Sequence, residues 1–322
     1  MERTFSQLLM GHAQQRPQAP AMREKEYGIW HSHSWADMAQ MASQMAAGLH
    51  LAGLRRGEHI VVVGANRPRL TAAMLAAQTL GAIPVPLYQD AVASEYVFPI
   101  NNAEVRFAVV ENQEQVDKLL EIRPDCEKLA HIFFDDPRGL RNYQQEGLAS
   151  LSDLQDKGLQ FAQQNPTFFD KEVAINQADD VAAMFFTSGT TGNPKGVLYS
   201  HRAIVMNATT GCMPDVLGLS TQETILPVVP MFHVNAWGIP YSAAMVGAKL
   251  VFPGPALDGA SVYGLIEAEG VTFAAGVPTV WQMMLSHMGP KDLRFSTLQR
   301  TVIGGSACPP AMIHAFKNNY GV

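Results

Sequence analysis

Cysteine is scarce. The three residues, Cys126, Cys212 and Cys308, lie far apart in a chain of 322, and no C-x-x-C pair occurs. That spacing excludes a zinc ribbon and a disulfide framework, and suggests buried thiols in a reducing cytoplasm. Charge is also thin, at 16% of residues, and 23 Lys and Arg against 29 Asp and Glu leave a net −6. A general nucleic-acid binder needs basic patches that neutralise phosphates, so no nucleic-acid partner is expected. The first twenty residues carry Glu2, Arg3, His12 and Arg16 without an apolar run, so no signal peptide is expected there. Between Glu223 and Lys249 no Asp, Glu, Lys or Arg appears, a stretch long enough to cross a bilayer. Pro227, Pro230, Pro240, His233, Asn235 and Gly238 interrupt it, so a strand, a loop and a core helix are expected in place of a membrane span.

Apolar residues make up 47% of the chain, enough for a substantial core, and the length suits about two domains. Ser34 and Asp37 form a capping pair ahead of Met38, Met41, Ala42, Met45 and Leu49, whose helical spacing reads as core packing. Strand patterns at 60–64, 83–87, 106–110 and 130–134 alternate with helical patterns at 70–80 and 113–122. The stretch from Asp135 to about Asp180 is polar and reads as irregular, and it sets an expected boundary between an N-terminal α/β subdomain, 1–180, and a second, 181–322. Alternation resumes with strands at 181–186, 224–229, 249–252, 272–276 and 300–303 and helices between them. The pattern predicts an α/β fold with mainly parallel sheets covered by helices on both faces.

Strand 181–186 runs straight into Thr187-Ser188-Gly189-Thr190-Thr191-Gly192-Asn193-Pro194-Lys195-Gly196. Glycines allow the backbone to approach a ligand closely, and successive N–H groups in such a turn form an anion-binding nest. The hydroxyls of Thr187, Ser188, Thr190 and Thr191 add donors, and Lys195 adds a mobile positive charge. The spacing is neither a Walker A loop nor G-x-G-x-x-G. The loop is expected to face solvent between two parallel strands, 181–186 and 196–199, or at their ends.

This string resembles the signature of the adenylate-forming superfamily, in its acyl-CoA synthetase branch. The resemblance implies the large N-terminal domain of such an enzyme, with ATP and Mg²⁺ at the loop and CoA as co-substrate. By motif position Thr187 is the Mg²⁺ ligand, Ser188, Gly189, Thr190, Thr191 and Gly192 contact the phosphates, and Lys195 assists. A second element, Pro230-Met231-Phe232-His233-Val234-Asn235-Ala236-Trp237-Gly238, is similar to the family's carboxylate and acyl site. It implies His233 beside the substrate carboxylate, with Lys195 and His233 as the catalytic side chains. Val234, Trp237 and Gly238 then line the acyl pocket, joined by Val277, Pro278 and Thr279. A third element, Gly304-Gly305-Ser306-Ala307, is similar to the turn flanking the adenine and the acyl carbonyl.

The activity implied is activation of a medium- or long-chain acid to acyl-AMP and then acyl-CoA. An adenylation domain loading a carrier protein, and a catalytically incompetent nucleotide- or acyl-binding fragment, stand as alternatives. A cytoplasmic setting, a homodimer and peripheral membrane contact are all compatible with the resemblance. Up to about Ser200 the likeness is to bacterial long-chain enzymes, and from Val228 to ligases for medium-chain or methylthio-propionate-type acids. The chain stops before the family's Y-G-x-T-E segment, its ribose-binding Asp and its small C-terminal domain with a catalytic Lys. It therefore reads as a fragment expected to be inactive alone.

Overall fold

The computed structural model describes residues 3–187 and 192–322; Ser188, Gly189, Thr190 and Thr191 lie outside the described residues. Thr4 caps α1 (Phe5–Gln15), and a hairpin of β1 (Pro20–Glu26) and β2 (Ile29–Ser34) follows. Ser34 then caps α2 (Trp35–Leu51): the Asp37 N–H donates to Ser34 Oγ at 3.2 Å, and the Ser34 N–H returns to Asp37 Oδ2 at 2.8 Å. The expected methionine stripe, Met38, Met41 and Met45, is buried in the core.

The chain continues through β3 (His59–Val63), α3 (Pro68–Thr79), β4 (Ile83–Leu87), α4 (Ala93–Asn102), β5 (Phe107–Val110), α5 (Gln113–Ile122) and β6 (His131–Phe134). With β7 (Leu148–Ser150) these strands form an all-parallel sheet in the order β4-β3-β5-β6-β7. The stretch expected to be irregular, 135–180, instead holds β7 and two helices, α6 (Leu151–Gln164) and α7 (Phe168–Ile175). Their buried stripes are narrow: Leu151, Leu154 and Gly158 on α6, Phe169 and Val173 on α7. So few apolar positions leave the window polar on average and hide the helical period.

α6 crosses α2 where two glycines meet. A side chain at Gly158 would strike the Gln44 carbonyl oxygen at 1.8 Å, and one at Gly48 the Leu154 carbonyl oxygen at 2.3 Å. Gly158 therefore counts as an apolar position although nothing in its side chain signals one.

A second sheet runs β13-β12-β10-β11-β1-β2, built from β10 (Thr224–Pro227), β11 (Lys249–Phe252), β12 (Phe273–Gly276) and β13 (Arg300–Ile303). β1 joins it parallel to β11, pairing Met22 with Leu250, and β2 is its one antiparallel member. The sheet thus draws strands from both sides of residue 180. The uncharged stretch 224–248 resolves into β10, a turn and a helix, Ile239–Val246, as expected. Among the described residues no helix is long and apolar enough to cross a membrane.

Candidate functional site

β8 (Val181–Thr187) and β9 (Lys195–Ser200) pair with each other. They are antiparallel, which corrects the expected parallel arrangement. The chemistry of chain length explains it: residues 188–194 are too few for a parallel crossover, which takes about a dozen or more. The base of the hairpin is anchored in the core by Ala182, Ala183 and Phe185, packed with Phe5, Ile204 and Tyr241. At its other end the described residues Thr187, Gly192, Asn193 and Lys195 are exposed, while the rest of the loop expected to face solvent lies outside the described residues. There Thr187 lies directly opposite Lys195, both exposed, and Gly192 takes φ +85° with open space around its Cα. Ser200 caps α8 (His201–Cys212) directly after β9. Thr187 and Lys195 are thus cross-strand partners at the open end of the ladder.

The second motif is positioned by a residue that motif reading passed over. Asn66, buried in the turn between β3 and α3, donates to the carbonyls of Pro227 and Val229 at 3.1 and 2.8 Å. Its Oδ1 accepts from the Met231 N–H at 2.8 Å. One side chain thus brackets the segment entering the motif, and binds it to the other sheet. Phe232 stacks on Tyr88 at 4.2 Å between centroids. His233 is exposed, and its backbone N–H donates to the Pro230 carbonyl at 3.1 Å.

Residues 235–238 form a left-handed turn, with φ of 46° at Asn235, 51° at Ala236, 56° at Trp237 and 73° at Gly238. Glycine accepts this region freely, whereas each of the other three costs roughly 1–2 kcal/mol. The backbone cost is held in place by burial: Asn235 and Ala236 are completely enclosed. The Asn235 amide nitrogen donates to the Tyr241 hydroxyl, and its Oδ1 is buried with no partner among the described residues. Burial pushes the Tyr241 hydroxyl well above the usual tyrosine range, so it stays protonated.

The left-handed turn aims the Trp237 indole at the third motif. A side chain at Gly304 would meet Trp237 Cη2 at 3.0 Å, and one at Gly305, where φ is +80°, would meet Val277 Cγ1 at 3.1 Å. Indole, valine and glycine backbone are in contact only because both glycines lack Cβ. Val277 is half-buried at the mouth of the helix Pro278–Met288; Pro278 is buried behind it and Thr279 is exposed. Ser306 and Ala307 are exposed beyond β13. The fold therefore brings Thr187 to Lys195, and Trp237 to Val277, Gly304 and Gly305. Val234 opens the turn, Gly238 closes it, and Ser188, Gly189, Thr190 and Thr191 are outside the described residues. Tyr88, Asn66 and Tyr241 were not singled out by motif; the one cue for Asn66 was an asparagine at a strand-to-helix turn.

An α/β molecule of this topology has the fold of the N-terminal domain of adenylate-forming enzymes. The N-terminal domain of FACL13 from Mycobacterium tuberculosis, solved with an inhibitor, superposes with a TM-score of 0.81 at 21% identity, over 98% of this chain and 73% of that one. The anthranilate CoA ligase AuaEII, solved with anthranoyl-AMP, gives 0.84 at 23% identity over 99% and 58%. The chain belongs to the AMP-binding enzyme family, whose model matches residues 9–322. It is 40% identical over 289 residues to a medium-chain-fatty-acid–CoA ligase of Ectopseudomonas oleovorans, covering 89% of this chain and 51% of the relative. It is 37% identical to a 3-methylmercaptopropionyl-CoA ligase of Ruegeria lacuscaerulensis, over 90% and 52%. A long-chain-fatty-acid–CoA ligase of Thermus thermophilus matches at 35%, over 90% and 50%. The chain thus spans about half the length of these curated relatives.

Proposed function

We propose that the whole protein is an AMP-forming acyl-CoA ligase for an aliphatic carboxylic acid. The observation that carries this reading is the exposed hairpin end, where Thr187 and Lys195 are cross-strand partners and the nearby Gly192 is left-handed. A point charge, a hydroxyl and a glycine- and hydroxyl-rich connection suit the phosphates of ATP. Ser188, Gly189, Thr190, Thr191 and Gly192 would supply the N–H and hydroxyl donors. Thr187 is the protein oxygen this reading gives to Mg²⁺, whose chemistry is to offset phosphate charge while phosphate and water oxygens complete its shell.

The acid's carboxylate, oriented beside His233, attacks the α-phosphorus, and the bond to pyrophosphate breaks to leave acyl-AMP. The thiol of CoA then attacks the acyl carbonyl, the thioester forms and AMP leaves. Neither step uses a nucleophilic side chain; positioning and charge stabilisation carry both. Gly304, Gly305, Ser306 and Ala307 would flank adenine and the acyl carbonyl. Trp237 and Val277 offer an apolar wall, and the ligases named above act on medium-chain, long-chain and 3-methylmercaptopropionyl substrates, which favours an aliphatic acid. The reaction would run in the cytoplasm on small-molecule substrates.

ATP–pyrophosphate exchange tests the reading. The protein carried at the length of its relatives is assayed with acids from butyrate to palmitate, 3-methylmercaptopropionate and a set of amino acids. Exchange with aliphatic acids, followed by thioester formation on adding CoA, is expected. Exchange with amino acids and none with fatty acids would favour a carrier-protein-loading adenylation domain. No exchange with any acid would leave a binding protein.

A further inference from the structure

We propose that Asn235 and Tyr241 are positioning residues that latch the left-handed turn 235–238 and thereby hold the Trp237 indole over Gly304 and Gly305. The latch is argued from packing alone; its consequence for the acid substrate rests on the reading of Trp237 given above.

Three consecutive residues with side chains, Asn235, Ala236 and Trp237, occupy a backbone region that L-residues adopt singly. Such a run persists only where its surroundings over-determine it. The backbone bonds across it are long or local: the Ala236 N–H reaches the Pro230 carbonyl at 3.3 Å, the Trp237 N–H the His233 carbonyl at 3.4 Å, and the Gly238 N–H the Asn235 carbonyl at 3.1 Å. The side-chain restraint is the bond from the Asn235 amide to the Tyr241 hydroxyl. Tyr241 is itself fixed, buried with its ring 4.4 Å from that of Phe5.

The Asn235 side chain, completely buried, leaves its Oδ1 without a partner among the described residues. A buried carbonyl oxygen left unpaired is costly, so the latched state is destabilised by its own side chain as well as by its backbone. An apolar cavity of about 40 Å³ bordered by Met22, Met38, Met74, Met231 and Tyr241 lies behind the latch, among flexible side chains that can repack.

At the other end of the turn, the indole lies so close to Gly304 that it excludes any other flat group from that glycine's face. A planar ring or acyl carbonyl approaching the Gly304–Gly305 backbone must displace Trp237, and the latch sets how readily it yields. Occupation of the glycine face and an intact Asn235–Tyr241 bond are therefore opposed.

The 322-residue chain can be tested by acrylamide quenching of tryptophan emission, with Trp237→Phe used to subtract the signal of Trp30, Trp35 and Trp281. Tyr241→Phe keeps the ring and removes the hydroxyl; Asn235→Ala removes the amide and leaves the left-handed backbone costly. Losing one buried neutral hydrogen bond shifts a two-state equilibrium about fivefold. Both variants are expected to raise the quenchable Trp237 signal accordingly, with circular dichroism unchanged. Trp237 quenching equal to wild type in a folded variant overturns the latch, and Asn235→Ala decides if Tyr241→Phe fails to fold. Chain-length preference in pyrophosphate exchange, measured on the longer protein, separates the two levels. Raised quenching with an unmoved preference keeps the latch and removes Trp237 from acyl recognition.

Discussion

Thr187 and Lys195 are paired across a β-ladder, so strand register fixes the separation of their backbones and places both residues at the same end of the hairpin. On the proposed reading, Lys195→Ala in the longer protein slows pyrophosphate exchange about 10²–10³-fold, the usual loss for one preorganised charge donor. An exchange rate equal to wild type would take Lys195 out of the phosphate site. A second residue-scale effect sits beneath the hairpin. His201, at the start of α8, is buried, and desolvation lowers its pKa from 6.5 to about 4. A histidine held neutral in the folded state stabilises above its unfolded pKa and loses that contribution as pH falls towards the folded one. Stability is therefore expected to drop by about 3 kcal/mol between pH 6.5 and 4 on this account. Urea unfolding across that range should show a shallower slope for His201→Phe; an identical slope would assign the pH dependence to other groups.

At the scale of elements, the α2–α6 crossing depends on backbone contact. Gly158→Ala places a methyl group within reach of the Gln44 carbonyl oxygen, and the helices must separate. Overpacking of this kind typically costs about 1–3 kcal/mol, against a small gain in helix propensity. A lowered urea midpoint with unchanged m-value is expected; a raised midpoint would show that the helices slide apart freely. The capped helices behave differently. α2 and α8 begin at Ser34 and Ser200, whose hydroxyls take an otherwise orphaned N–H, and both starts were readable from sequence because a cap is a local interaction.

The whole molecule is joined at a buried charge cluster between the two sheets. Arg67, on the turn after β3, bonds Glu111 at 2.6 Å, Glu26 at 3.0 Å and Glu24 at 3.3 Å. Arg69 pairs with Asp135 alongside. Burial raises the Glu24 carboxyl above its usual range, the neighbouring Arg67 opposing the shift, and burial raises Asp135 likewise. β1 brings Glu24 and Glu26 from one sheet, and β3 and β5 bring Arg67 and Glu111 from the other. Arg67→Met removes the only side chain that bonds three of these carboxylates, and stranding one partner of a buried pair costs about 3–5 kcal/mol. Because a raised carboxyl pKa favours the folded state at low pH and is lost as pH rises through it, the variant should recover part of its loss under mildly acidic conditions. A deficit that is constant with pH would mean the carboxylates are solvated after the change.

Local chemistry determined most of the elements and the identity of the motifs. Strand 249–252, strand 300–303 and helix 113–122 follow from apolar period and punctuation, and the hydroxyl- and glycine-rich loop is a motif legible without any tertiary information. The antiparallel pairing of β8 and β9 was also within reach, since the short connection forbids a parallel one. Tertiary structure decided the rest, because those features depend on partners distant in sequence. β1 adds to β11, more than two hundred residues away, and α6 is recognisable as a helix only against α2. Asn66 matters through three backbone groups that lie beyond residue 226. The left-handed turn at 235–238 runs against the intrinsic preference of three of its residues, and only burial against Tyr241, Gly304 and Gly305 makes that backbone the stable one.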